Sequence, residues 1–194
     1  MELEEIIEFW FGKNIEVDPL QNMDKWFTKN PVFDAVVSER FKPYLQKLDE
    51  LSAWKETPKG SMAYIVLTDQ FPRNIFRNQK TSFSFDALAL EEAKNGIQDG
   101  FDQELSWIER CFYYLPFEHS ENLEMQEESL KQFQTLQRSI PKAFADYGDE
   151  VYDYAIKHWE IIKRFGRFPH RNKILKREST PEEIEFLKQS DSSF

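Results

Sequence analysis

Two stretches of this chain repeat one phrase in altered form. The first is Asp69-Gln70-Phe71-Pro72-Arg73-Asn74 and the second is Gly166-Arg167-Phe168-Pro169-His170-Arg171-Asn172. Each sets arginine and asparagine beside a Phe-Pro corner, and the second adds a histidine. Forked guanidinium donors, amides and an imidazole suit a carboxylate or a phosphate. The pattern predicts that the two corners fold against each other and enclose one polar hollow. Asp69 ends an apolar helical stretch, where the helix macrodipole disfavours a carboxylate. A cation must therefore compensate it, either Arg73 one turn on or, if the corners meet, Arg167 or Arg171. The plain alternative is a buried ion-pair network that pins the corners, its side chains capping carbonyls left open at helix ends.

Three histidines add to this set. His158 falls in register with Val151, Ala155, Ile162 and Phe165, so burial in an apolar stripe is expected, as a satisfied core residue more than as a ligand. His119 precedes a helix that Ser120 is placed to cap. His170 lies between Arg167 and Arg171, whose charges disfavour its protonated form. Glu121, Glu124 and Glu128 share one face as a solvated surface would, with Glu118 standing apart from that run. Three imidazoles and Glu121 could suit a divalent ion, but no short ligand spacing such as His-Glu-x-x-His is present, so neither a metal nor a cofactor is implied. The chain lacks a Gly-rich phosphate loop and a Gly-x-Ser-x-Gly elbow. Cys111 sits on a nearly all-apolar helix as a buried, inert thiol. Its neighbour Arg110 needs a partner, for which Glu109 and Asp69 are the candidates.

The elements that must position these groups are helical. Leu3, Ile6, Ile7, Trp10 and Phe11 line one face, and Gly12 follows as a stop. Asn30-Pro31, Thr57-Pro58 and Thr180-Pro181 each place a capping side chain before proline at the first helical position, and Glu183 completes a capping box with Thr180. The pattern predicts helices over about 2–11, 20–28, 31–54 with a bend near Pro43, 58–70, 84–97, 103–115, 120–138, 142–165 and 181–188. The helices carrying Met62, Ile65, Val66 and Leu67, and Leu105, Ile108, Cys111, Phe112 and Leu115, lack a wet face and belong in the middle. The two Phe-Pro corners are expected to end their helices. Short connections favour antiparallel hairpins stacked on one another, giving an all-α bundle of about eight or nine helices in a single 1–194 domain.

Composition sets outer limits. With 18 Phe and 5 Trp among 194 residues, there is enough apolar bulk for one well-buried core. Order is expected throughout except at 190–194. The 35 acidic against 25 basic residues, a formal charge of -10, exclude a general nucleic-acid binder and disfavour an anionic membrane surface. The longest purely apolar run, Met62 to Leu67, is far too short to cross a bilayer. The opening Met1-Glu2-Leu3-Glu4-Glu5 has neither region of a secretion signal, and one cysteine allows no internal disulfide, so a reducing cytoplasm is expected.

Three long stretches carry a family resemblance. They are Leu67-Thr68-Asp69-Gln70-Phe71-Pro72-Arg73-Asn74-Ile75-Phe76-Arg77, Tyr114-Leu115-Pro116-Phe117-Glu118-His119-Ser120-Glu121 and Arg164 to Asn172. Together with Trp10-Phe11-Gly12, Trp26-Phe27 and Thr180-Pro181-Glu182-Glu183, they resemble the bacterial family catalogued as domain of unknown function 924. The resemblance implies a tetratricopeptide-like all-helical fold and no established activity. The family's usual form is apolar or Met-like at Glu118, so it lends that carboxylate no role.

The residues leave three readings open. One is a binding module whose ligand, a small anion or peptide carboxylate, meets Asp69, Gln70, Arg73, Asn74, His119, Glu121, His158, Arg167, His170, Arg171 and Asn172. A second is a hydrolase or lyase using Asp69 or Glu121 with His119 or His170 as acid and base. The third is a structural or oligomerisation protein. The binding module is the one chosen here; the residues do not specify an oligomeric state.

Overall fold

The computed structural model describes residues 2–190 and Ser192. Among them are eleven α-helices and no strand, so the chain is all-α as its periodicity requires, with more and shorter helices than eight or nine. They fall into two compact units, Met1–Arg77 with Thr81–Pro116, and Asn78–Lys80 with Phe117–Phe194. No helix of the described residues is long and apolar enough to cross a membrane.

The first unit holds α1 (Glu2–Phe11), α2 (Met23–Phe27), α3 (Pro31–Phe41), α4 (Pro58–Ile65), α5 (Phe71–Ile75), α6 (Asp86–Gln98) and all but the last two residues of α7 (Trp107–Glu118). Its core is aromatic. The Trp10 ring lies 5.6 Å from Phe71 and 5.7 Å from Phe112, both edge-on, and Phe41 stacks on Phe71 at 4.5 Å. Edge and offset geometry aligns the positive rim of one ring with the negative face of the next. As the missing wet face implied, every residue from Gly60 to Asp69 is buried, and α4 packs against both α1 and α6.

Two proline effects depart from the expected boundaries. α3 stops at Phe41, and the chain continues as 3-10 turns over Lys42–Gln46 and Leu48–Glu56 in place of one bent helix. Pro43 has no N–H for the helical ladder, and its ring crowds the preceding turn. Phe71-Pro72, by contrast, does not end the 58–70 stretch. The backbone widens into a π-turn at Val66–Gln70, where the Phe71 N–H reaches back five residues to the Val66 carbonyl, and Pro72 then enters α5 near its start. The wider turn accommodates a residue that has no donor to offer.

The second unit is built on a helical hairpin of α8 (Leu123–Ser139) and α9 (Ala145–Phe165), followed by α10 (Asn172–Leu175) and α11 (Pro181–Phe186). Ile161, Ile162, Phe168 and Phe186 form its buried cluster, with Phe165 against them. The short α10 was not legible in the sequence, having too few residues for a period. Here the Phe-Pro corner does end its helix. Gly166, at φ +67°, caps α9 by donating its N–H to the Ile162 carbonyl, and Phe168 is extended. Of the 190–194 end, Ser192 is buried and donates to the Leu187 carbonyl, while 191, 193 and 194 lie outside the described residues.

The proline-linked caps form as read. Asn30 accepts from the Val32 and Phe33 amides, Thr57 from Gly60, and Thr180 shares a full capping box with Glu183. The cap of α8 is Asn122 and not Ser120: its side chain accepts from the Met125 amide, while the Ser120 hydroxyl accepts from Asn122 one step earlier. Asn122→Ala should therefore lower stability by about 1 kcal/mol in urea unfolding, and Ser120→Ala by considerably less.

Candidate functional site

The first corner lies wholly within the first unit. Asp69 sits on the π-turn and is fully buried. The Gln70 amide donates to its carboxylate at 2.6 Å, and Arg73 approaches it at 3.3 Å while also donating to the Asp69 carbonyl. The same guanidinium forks onto Asp86 at 3.0 and 3.3 Å. Burial alone would lower the Arg73 pKa, but Asp69 and Asp86 outweigh it and raise the value. The cation demanded by a carboxylate at this helix end is thus supplied one turn away. Asn74 and Arg77 both donate to Asp34, at 2.8 Å and at 2.6 and 2.7 Å. Asp34 and Asp86 went unnoticed in the sequence because they lie 40 and 13 positions from the residues they bind.

The second corner lies wholly within the second unit, and its polar groups are densely interlocked. Glu121 accepts the Phe168 backbone N–H at 2.8 Å and a fork from Arg177 at 2.5 and 2.9 Å. Burial would raise the Glu121 pKa, yet the Arg177 and Phe168 hydrogen bonds hold it below the usual carboxylate value. Arg177 also donates to the Phe168 carbonyl and to the Asn172 side chain. Asn172 passes its own N–H groups to Ser179 and Glu183, at 3.0 and 3.2 Å. Arg167 forks onto Glu183 at 2.6 and 2.8 Å, which together with the Thr180 amide brings the Glu183 pKa down to about 2. Arg167, Glu121 and Asn172 are therefore spent on holding the corner.

His158, His170 and Arg171 gather around the Phe168 ring. His158 meets its face edge-on at 5.5 Å, His170 is tilted against it at 5.5 Å, and the Arg171 guanidinium lies 4.4 Å over it. Arg171 donates to the His119 carbonyl at 3.0 Å. His158 is buried, as its register predicted, with Nδ1 2.8 Å from the Tyr154 carbonyl. A carbonyl can only accept, so Nδ1 carries the proton and Nε2 is the basic nitrogen. Glu118, also buried, places a carboxylate oxygen 3.3 Å from the same Nδ1. Burial, helped by Arg171 and the neighbouring imidazoles, pushes the His158 pKa down to about 3. Burial and then Arg171 push that of His170 to about 4.

This is a compact set of imidazoles and one guanidinium, with an oriented carboxylate–imidazole pair at one side. It is rich in donors, and Nε2 is the basic nitrogen of His158. Among the described residues no group of His, Cys, Asp and Glu is arranged to hold a metal ion. Cys111 is buried. Of the partners suggested for Arg110, Glu109 meets Lys59 and the Ser106 amide and hydroxyl, and Asp69 meets Gln70 and Arg73, while Arg110 Nε has no hydrogen-bond partner among the described residues. Glu118 and Glu183 join the corner although neither has a place among the ligand residues read from the sequence, and Arg177 joins it without being marked there at all. Glu183 had a local signal in its capping box and Glu118 in standing apart from the solvated Glu face, whereas Arg177 lies 56 positions from Glu121 and had none.

The family model described as bacterial protein of unknown function (DUF924) matches residues 6–191. The chain belongs to this family. A solved structure of a protein of unknown function, ATU0120 from Agrobacterium tumefaciens, is similar to this DUF924 chain over 96% of either chain, at 36% identity and a TM-score of 0.78. No curated protein matches. The DUF924 match spans both Phe-Pro corners and all three histidines.

His158 and His170 titrate below their ordinary 6.5 in the folded state. For a base with a depressed folded value, the unfolded chain binds more protons as pH falls, so stability is full above 6.5 and declines toward 4. Glu183, lowered from 4.5 to about 2, adds stability that is present above 4.5 and lost as pH falls to 2. Urea midpoints measured against pH should fall in these two windows, with unfolding at pH 5 taking up about two protons through the histidines. His158→Phe should roughly halve the upper slope, and Glu183→Gln should flatten the lower one.

Proposed function

We propose that this protein is a helical binding module, tetratricopeptide-like in its use of packed hairpins, whose second corner holds a small anion or the carboxylate end of a peptide in the cytoplasm. The observation that carries the reading is the placement of Arg171 over Phe168 beside His158 and His170. A guanidinium stacked on a ring keeps its charge and its fork geometry while losing water, which strengthens its hydrogen bonds to an oxyanion. In a chain of net charge -10, such a local excess of donors is selective for an anion that fits it. Arg167, Arg177, Glu121, Glu183 and Asn172 serve this site by fixing the backbone that presents it.

The reading makes affinity depend on pH in a definite direction. An anion stabilises imidazolium, so it raises the histidine pKa values and binds with proton uptake, more tightly at pH 5.5 than at pH 7.5. Thermal shift and calorimetry with phosphate, acetate and short peptides with free C-termini should show this trend. Arg171→Gln should weaken binding by roughly tenfold or more, the worth of a charged hydrogen bond. A panel that gives no stabilisation at either pH, or binding that is unchanged in Arg171→Gln, would overturn the proposal.

One pair supports a second reading, a hydrolase or lyase. Glu118 stands 3.3 Å from His158 Nδ1, the position from which a carboxylate orients an imidazole and stabilises its protonated form. Glu121 fits that role poorly, being forked by Arg177 and held ionised. A turnover assay in which Glu118→Gln lowers kcat while leaving anion affinity intact would separate catalysis from binding.

A further inference from the structure

The first unit contains a polar cleft of about 310 Å³ lined by Lys55, Glu92, Asn95, Gly96, Gln98 and Asp99. Four of these, Glu92, Asn95, Gly96 and Asp99, follow the i, i+3, i+4, i+7 spacing of one helical face, supplied by α6 and its C-cap. Gly96 lets that face approach α7 closely, since a Cβ there would lie 1.7 Å from the Tyr113 hydroxyl. The unit of substance is Glu92, which is 2% exposed yet borders the cleft. The Ser61 hydroxyl donates to its Oε1 at 2.6 Å, and since that hydroxyl has spent its hydrogen, Tyr113 must donate to Ser61 across the next 2.6 Å. Oε1 is thereby anchored through two buried hydroxyls.

Oε2 is served differently. It faces the Lys55 ammonium at 3.8 Å, an ion-pair distance but too long for a hydrogen bond. Lys55 is held off by the Tyr64 ring, over which its ammonium lies at 4.2 Å. Burial raises the pKa of this carboxyl against the pull of Ser61 and Lys55, and Asp99 and Glu91 add negative potential in the same direction. The cleft thus presents an acceptor without a close donor, with carboxylates outnumbering the one nearby cation.

We propose that this cleft binds a small organic ammonium, its N–H groups donating to Glu92 Oε2 and to Asp99, with the Asn95 and Gln98 side chains completing its polar contacts. An anion is disfavoured because two carboxylates face the space and the lysine is already shared between Glu92 and Tyr64. A sugar is disfavoured because, among the described residues, no aromatic one lines the cleft. The volume is at the lower end for ligand sites, which limits the guest to a compact amine. This site shares no residue with the Phe168 corner and does not depend on the reading given to that corner.

Calorimetry and thermal shift on the whole protein with 2-aminoethanol and butane-1,4-diamine, against glucose and sulfate, test the assignment. Amine binding is expected at pH 7.5 and should weaken toward pH 5, because protonating Glu92 removes the acceptor. Glu92→Gln, which keeps the shape and the Ser61 bond, should reduce affinity by at least roughly tenfold. Lys55→Met, which keeps the stem but deletes the competing cation, should instead raise it several-fold; a purely structural Lys55–Glu92 pair would give no such gain. If Glu92→Gln fails to fold, Asp99→Asn at the rim should weaken binding while Lys55→Met strengthens it. Stabilisation by glucose or sulfate in place of the amines, or amine affinity indifferent to these substitutions, would overturn the proposal.

Discussion

The Glu121 carboxylate is met by donors from far along the sequence, 47 and 56 positions away, and the second corner depends on that constraint. Its oxygens take the Phe168 amide and the Arg177 fork together. Each of these alone would leave a charge incompletely compensated, and removing one partner of such a pair costs more than the pair itself contributes. The Phe168 backbone is held on both sides, since Arg177 also takes its carbonyl. With the Phe168 ring so placed, His158, His170 and Arg171 have a common surface to pack upon.

The same constraint divides the polar residues into two kinds. Arg73, Asn74, Arg77, Arg167 and Arg177 meet carboxylates with short, mostly forked bonds, and these tie helices together. His158 and His170 are different, because burial keeps them neutral and so leaves them responsive to a charge that arrives. For the proposed anion site, the ion pairs are a frame with no reorganisation left to make.

The two proposed sites are read for guests of opposite charge. Where α6 turns Glu92 and Asp99 toward the cleft, the excess charge is negative and the guest is read as a cation. Where the α9 C-terminus gives way to the Phe168 corner, Arg171 and the imidazoles lie together and the guest is read as an anion. In both cases a buried ring sets the position of the charge: Tyr64 beneath Lys55, Phe168 beneath Arg171.

Everything legible from the residues alone was local. The caps at Asn30, Thr57 and Thr180, the buried stripe that carries His158, and the all-apolar stretch from Met62 to Leu67 depend on residues within a turn or two of one another, and each formed as its pattern required. The family motifs likewise marked both corners correctly as membership signals. Tertiary structure alone decided that a π-turn carries the chain past Pro72, that Glu118 stands beside His158, and that Arg177 and not an arginine of the corner itself neutralises Glu121. Those pairings join residues 40 to 56 positions apart. Periodicity records which face of a helix is buried, but the partner of a buried charge is chosen by how the helices pack, and that has no period to read.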